Sequence, residues 1–420
     1  MPISLANGAL AIPDTSAPVA ELGLSEDRLA KMPKFFEPYI ENKKLPHMAL
    51  LLSRGGEIAH ISTQGVMDWE TNRPITTDTI FRIYSMTKPI TCVAAMMLFE
   101  EGGIRLEHEV HRYLPEFSDI KVWDGGTADA PELKAPDRPV TIRDLFTHTS
   151  GITYGFLMQH PVDAIYRREK IGAVSDTIRE TARKIAAAPL VFSPGERWNY
   201  GHSIDVLGAI VEEVSGQTFD TFLRDRIFNQ LGMVDTDFFV PEDKRDRFPA
   251  CYAKDAATGE TVLYDPGGDG TRLYASQPVQ LNPGGGLVST LDDYHRFARM
   301  LLNGGALDGN RLLSPKTIEY MTENHLPGGK TILSMGDETF SEARMEGNGF
   351  GLLGSVMIDP IEAGQPGSMG SFAWGGLAST YFWVDPLEEL IGIQMTQLIP
   401  SSTYPIRPQF QQLAYASIVA

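Results

Sequence analysis

The sequence predicts an α+β fold: an antiparallel sheet flanked by helices, a mostly helical inserted domain, and a cleft between the two. Two observations carry this. Apolar runs of strand length joined by short turns lie toward both ends of the chain, and hairpins build antiparallel sheets. From about 107 to 283 the texture changes to short helical patterns between Pro/Gly-rich loops. The simplest packing joins 1–106 and 284–420 into one α/β domain, with 107–283 inserted. A small-molecule site is then expected in the cleft between them. The chain has no Walker loop to support a parallel nucleotide-binding sheet.

The elements follow in order. Residues 1–24 read as a loose arm. Ser25 can cap a helix running to about Ile40, with Glu26 and Asp27 in its first turn. Met48–Ser53, the turn Arg54-Gly55-Gly56 and Glu57–Ser62 form a hairpin. Ile90, Val93, Ala94, Met97 and Leu98 recur at the spacing of one buried helix face, so a helix runs from about Ser85 to Glu101, ended by Gly102-Gly103. Thr141-Ile-Arg-Asp144 resembles a capping box, and further helices are expected at 175–187, 203–215 and 217–230. Thr290 opens a helix to about Asn303, and Ser314-Pro315 opens another. Phe350–Ile358, Ala378–Val384 and Leu390–Thr396 read as strands, the last two joined as a hairpin. Pro408–Val419 reads as a closing helix.

Composition narrows the function. The chain has 420 residues, 42% of them apolar, which is enough for a large core. Lys+Arg 36 against Asp+Glu 54 gives a net charge of −18, and Lys/Arg runs are lacking. That field repels phosphate backbones and anionic membranes, so neither a nucleic-acid nor a membrane partner is expected. Cys92 and Cys251 are too few for a disulfide framework or a thiolate metal cluster, and read as buried free thiols. The N-terminal stretch has no Lys or Arg before Arg28 and lacks a secretory pattern. The longest apolar stretch, Ile90–Phe99, is about half a bilayer span, so a cytoplasmic protein is expected.

Ser85-Met86-Thr87-Lys88 is a Ser-x-x-Lys that opens an apolar helix. Residues at i and i+3 share a helix face. A helix start offers unpaired N–H groups and a positive dipole end. These suit a serine nucleophile whose proton passes to an amine kept neutral by desolvation. The Ser85 N–H can serve as an oxyanion donor. Pro89 conflicts with regular helix at the serine, so the helix is expected to begin after it, leaving a tight first turn. Pro194-Gly195 leads to Tyr200, and a tyrosine beside cations can act as acid or base. In Ser371–Leu377, strand-like residues are interrupted by Gly375-Gly376, which let another backbone or a substrate come close.

These segments, with Leu145-Phe-Thr-His-Thr-Ser-Gly151 and Gly284-Gly-Gly-Leu-Val-Ser-Thr290, resemble the serine β-lactamase and penicillin-binding-protein superfamily. The resemblance is to its class C-like branch, and within it to the family VIII carboxylesterases, from about 25 to 400. It implies the β-lactamase-like fold, Ser85 as acylated nucleophile, Lys88 as its proton partner and Tyr200 as acid to the leaving alkoxide. Trp374-Gly375-Gly376 takes the place of the Lys-Thr-Gly motif, and the Leu377 N–H that of the second oxyanion donor. Which of Lys88 and Tyr200 is the base stays open, because the two titrate together.

The chain departs from the superfamily pattern at two positions. His202 replaces the asparagine of Tyr-x-Asn and counts as a substrate-binding residue and a speculative activator of water. Trp374 replaces the lysine that holds a substrate carboxylate; it offers an apolar wall and one N–H. That favours small neutral esters with short acyl groups over penicillins, by resemblance. An acyltransferase, a β-lactamase or DD-peptidase, and a non-catalytic binding protein are the rival readings. Gly201-His-Ser203-Ile-Asp205 nearly matches a nucleophile elbow but lacks its last glycine and a preceding strand. His108-Glu-Val-His111 lacks zinc-helix spacing, and His148 reads as structural, hydrogen-bonded between cleft and helical domain. The proposed chemistry needs no metal or cofactor. The sequence carries no signal for an oligomeric state.

Overall fold

A computed structural model describes residues 18–336 and 340–420. The elements that frame the site are α1 (Lys31–Glu41), β1 (His47–Arg54), β2 (Glu57–Gly65), α2 (Thr87–Glu100), α3 (Ser203–Ser215) and α4 (Leu291–Leu302). They continue with β3 (Asn348–Phe350), β4 (Ser355–Met357), β5 (Phe372–Gly375), β6 (Tyr381–Asp385), β7 (Leu390–Met395) and α5 (Ile406–Ala416).

Seven strands form one antiparallel sheet in the order β3-β4-β5-β6-β7-β1-β2, joining the two ends of the chain. Register follows side-chain alternation. Leu51 pairs with Ile393 and faces the main core, while Leu50 and Leu52 face a second core built on Phe36 and Phe410. Both faces are covered, which is why β1, β6 and β7 are apolar almost throughout rather than alternating.

Between the ends lie the helices of the middle stretch. Thr141 caps Ile142–Phe146 in a complete capping box with Asp144. Ile178–Ala187 and α3 form where the periodicity predicts them. The helix expected over 217–230 is broken into Phe219–Leu223, a π-helical turn at Arg224–Phe228, and Asn229–Leu231.

Several expectations need correction. Of the supposed arm, residues 1–17 lie outside the described residues, and Val19–Leu24 is packed: Leu24 is buried and bridges Ile418. Phe350–Ile358 is not one strand but the β3–β4 hairpin. Gly351 and Gly354 bond across the turn, and an ideal Cβ at Gly354 would lie 2.6 Å from the Ala373 carbonyl oxygen, so the chain must fold back there. The middle stretch also holds two hairpins, Val122–Lys134 and Cys251–Asp265. Cys251–Lys254 pairs in parallel with Leu398–Ile399, so part of this stretch forms a separate three-stranded sheet with the C-terminal part of the chain. Cys92 and Cys251 are free and buried, as expected. Among the described residues no helix is long and apolar enough to cross a membrane.

Candidate active site

The expected break at Pro89 is present. Tyr84–Met86 form a single 3-10 turn and α2 begins at Thr87, so Pro89 falls in the first helical turn, where its missing N–H has no helical partner to lose. Tyr84 has a φ of +43°, strained for an aromatic residue, and this bend presents Ser85 at the mouth of the helix. Lys88, three residues on, shares its face. Lys88 Nζ lies 3.2 Å from Ser85 Oγ and donates to the Gly284 carbonyl at 2.6 Å. The lysine is buried and Ser85 half-buried. Desolvation pulls the amine down to about 8, against the upward pull of the Asp205 and Glu342 carboxylates.

Tyr200 enters from the segment preceding α3. Lys88 Nζ sits 4.6 Å from the centre of its ring, so the structure brings residues 85, 88 and 200 together. The phenol is buried and its Oη closes no hydrogen bond among the described residues. Burial, followed by the Glu342 charge, raises it well above its ordinary value, although the Ser85 and Trp374 side chains are near enough to pull the other way. The Tyr200 phenol therefore keeps its proton.

The end of β5 closes the site. An ideal Cβ on Gly376 would come 2.2 Å from the Ile83 carbonyl oxygen; only glycine lets this strand lie against the turn that holds Ser85. Arg407, paired with buried Glu342 at 2.8 Å, donates to the carbonyls of Gly376 at 2.7 Å and Thr380 at 2.9 Å. The strand end is thus pinned from both sides. No hydrogen bond occupies the Ser85 or Leu377 N–H among the described residues, which leaves both as donors. Trp374 is buried, with its ring 5.4 Å from Tyr200 and 5.2 Å from Phe350. Gly375, on the opposite face, lies against the Arg407 guanidinium.

His202 sits where the motif's asparagine would be, but its Nδ1 is 2.8 Å from Asp205 and its far edge meets Gly172. It holds the aspartate. Asp205 in turn accepts from the Gly284 N–H at 3.1 Å, and the carbonyl of Gly284 receives Lys88. Sequence reasoning missed Asp205, Glu342 and Arg407. Asp205 was visible only as the residue that spoils the apparent elbow; a carboxylate in the first turn of an apolar helix, five residues after Tyr200, was the available signal. Ser203 is fully buried and bonded to Ser150 Oγ at 2.8 Å, out of reach of a substrate. His148 does not make the side-chain hydrogen bond expected of it: its Nδ1 is buried without a partner among the described residues, and its ring packs 4.9 Å from Tyr200. Its backbone carbonyl accepts from Asn199 instead.

Comparison with known proteins bears on the family and the fold. The β-lactamase family profile matches residues 32–415. Esterase EstB of Burkholderia gladioli is 31% identical over 373 residues, 85% of this chain and 87% of EstB. Monacolin J acid methylbutanoyltransferase of Aspergillus terreus is 26% identical, over 91% of this chain and 94% of that enzyme. Among solved structures, EstCE1, described as a hydrolase with promiscuous acyltransferase activity, superposes with a TM-score of 0.76 at 25% identity, covering 94% of this chain and 99% of EstCE1. Fold, motif order and relatives agree, and this chain belongs to the β-lactamase family.

Proposed function

We propose that the protein is a serine carboxylesterase that cleaves small, short-acyl esters through an acyl-enzyme on Ser85. The observation that carries this reading is the buried Lys88 amine 3.2 Å from Ser85 Oγ, with its pKa drawn down to about 8. The directions of the two pKa shifts support the division of roles. The amine is the group able to lose its proton near neutral pH, and the phenol is the group that keeps one. Ser85 Oγ attacks the ester carbonyl as neutral Lys88 takes its proton. The N–H groups of Ser85 and Leu377 receive the oxyanion. The intermediate collapses by breaking the carbonyl–alkoxide bond; Tyr200 protonates the departing oxygen and is reprotonated from Lys88. Water then attacks the acyl carbon, gives a proton back to Ser85 Oγ through the same pair, and the acid leaves.

Similarity to a methylbutanoyltransferase and to EstCE1 favours one second reading, in which an alcohol replaces water in the last step. With Trp374 in place of a lysine, β-lactam turnover is at most a side reaction on this reading. The test is a short-chain activated ester, assayed on wild type, Ser85→Ala, Lys88→Ala and Tyr200→Phe. Each variant should lose about 10²–10⁴-fold or more in turnover with its fold intact. Near-normal turnover in Lys88→Ala would refute the mechanism. Partition of the acyl group between acid and new ester, with an alcohol added, separates hydrolase from transferase, and nitrocefin reads the side reaction.

A further inference from the structure

From the reacting phenol an apolar path runs outward. Tyr200 contacts Phe340 with ring centres 6.0 Å apart and Tyr154 at 5.3 Å. Tyr154 stacks on Phe156 at 4.8 Å with planes 22° apart, and Phe156 meets Phe340 edge-on at 5.9 Å. The four rings close a circuit whose inner members, Tyr200 and Tyr154, are buried and whose outer member Phe156 is 51% exposed. Met158, two residues on from Phe156, has a φ of +55° and is 74% exposed. The run Gly151–Met158 carries no charged side chain, although the chain as a whole is strongly acidic.

Packing alone does not account for the outer half of this path. A phenylalanine left half in water contributes only part of its hydrophobic free energy to folding, and isolated exposed apolar residues are ordinary. This one is continuous with the reacting groups. The end at which the path begins also matters: it starts at the phenol that protonates the departing oxygen, so what lies along it is joined to that oxygen.

We infer that the strip formed by Tyr154, Phe156, Phe340 and Tyr200 binds the alcohol half of the ester. The preferred substrates would then join a short acyl group to a bulky apolar, especially aromatic, alcohol. This inference rests on the esterase reading given above. Flat rings at 4.8–6.0 Å from one another offer edge and face contacts to an aryl group, and the four side chains carry no charge to hold an ionic one.

The test compares ethyl acetate, 2-phenylethyl acetate and ethyl hexanoate; the first two differ only in an alcohol of similar acidity. Wild type should favour 2-phenylethyl acetate over ethyl acetate in kcat/KM. Phe156→Ala and Phe340→Ala should each lower that ratio about tenfold, the size of a lost aromatic contact, while Phe156→Tyr keeps it. The ratio of ethyl hexanoate to ethyl acetate should not move. Melting curves check that each variant is folded. An alcohol ratio within twofold of wild type in both alanine variants overturns the inference. So does a shift confined to the hexanoate ratio, which would assign the strip to the acyl half. If wild type hydrolyses no ester and a fluorophosphonate fails to label Ser85, the esterase reading falls and this inference with it; ester hydrolysis with no alcohol preference refutes the inference alone.

Discussion

Gly376→Ala is the sharpest perturbation the site offers. An ideal Cβ at this position lies 2.2 Å from the Ile83 carbonyl oxygen and 2.3 Å from Thr380 Oγ1. Real contacts of this kind are not found under 3.0 Å, so the strand end and the nucleophile turn must part by about 0.8 Å. An oxyanion donor is effective at about 2.7–3.1 Å, and the added gap takes the Leu377 N–H out of reach while leaving that of Ser85. Loss of one such donor costs about 10²–10³ in kcat, or about 2.7–4 kcal/mol, with less effect on KM. Gly375→Ala is the contrast. Its Cβ would come 2.5 Å from the guanidinium of Arg407, so it disturbs the site through the bonds of Arg407 to Glu342 and to the Gly376 and Thr380 carbonyls rather than by forcing β5 off the Ser85 turn. Steady-state hydrolysis of p-nitrophenyl acetate with pre-steady-state bursts reads both variants, and thermal melts exclude unfolding. A Gly376→Ala enzyme within threefold of wild type in kcat would refute the assignment of Leu377 to the oxyanion hole.

Three further outcomes are expected. Lys88 must be neutral to act, and its pKa is lowered to about 8, so kcat/KM should rise with pH through that value. Asp205→Asn, by removing a charge that lifts the amine, should move this limb toward lower pH, and a limb that stays in place would deny Asp205 that role. Ser203→Ala should retain ester turnover and cost about 1 kcal/mol in urea unfolding, because the hydroxyl is buried and bonded only to Ser150. Trp374→Ala empties a site packed by Tyr200 and Phe350 and should destabilise the protein by about 3–5 kcal/mol; an unchanged urea midpoint would contradict the packing described.

The sequence was readable wherever a local rule acts alone. Pro89 announced that regular helix could not include Ser85, and the 3-10 turn is the result. Thr141 and Asp144 announced a capping box, and it is complete. The β6–β7 hairpin was visible as two apolar runs about a turn. Failures came where distant chain segments decide. Phe350–Ile358 has strand composition throughout, and it folds back because Gly354 lies under Ala373, which sequence spacing does not encode. Ser85, Lys88 and Tyr200 were legible through motif order. Glu342 and Arg407 were not, because neither belongs to a motif and their pairing spans 65 residues. The partner of His202 was hidden for a related reason: its motif position suggested a substrate contact, and Asp205, which meets its Nδ1, lies three residues along the same helix start.

The two buried carboxylates give the site its direction. Asp205 is held by His202 and the Gly284 N–H, and Glu342 by Arg407, so neither can swing away when substrate enters. Their negative field acts on both proton partners at once. It lifts Lys88 against desolvation, keeping the amine basic enough to accept the serine proton. It also raises Tyr200, keeping the phenol protonated for the departing oxygen. Once Lys88 has lost its proton, neutral amine and neutral phenol add no net charge to a desolvated cleft, whereas ammonium and phenolate would have to be stabilised there as a buried ion pair. On the proposed mechanism this sets lysine on the side of attack and tyrosine on the side of departure. The burial that makes Lys88 costly to charge is the same burial that makes it useful as a base.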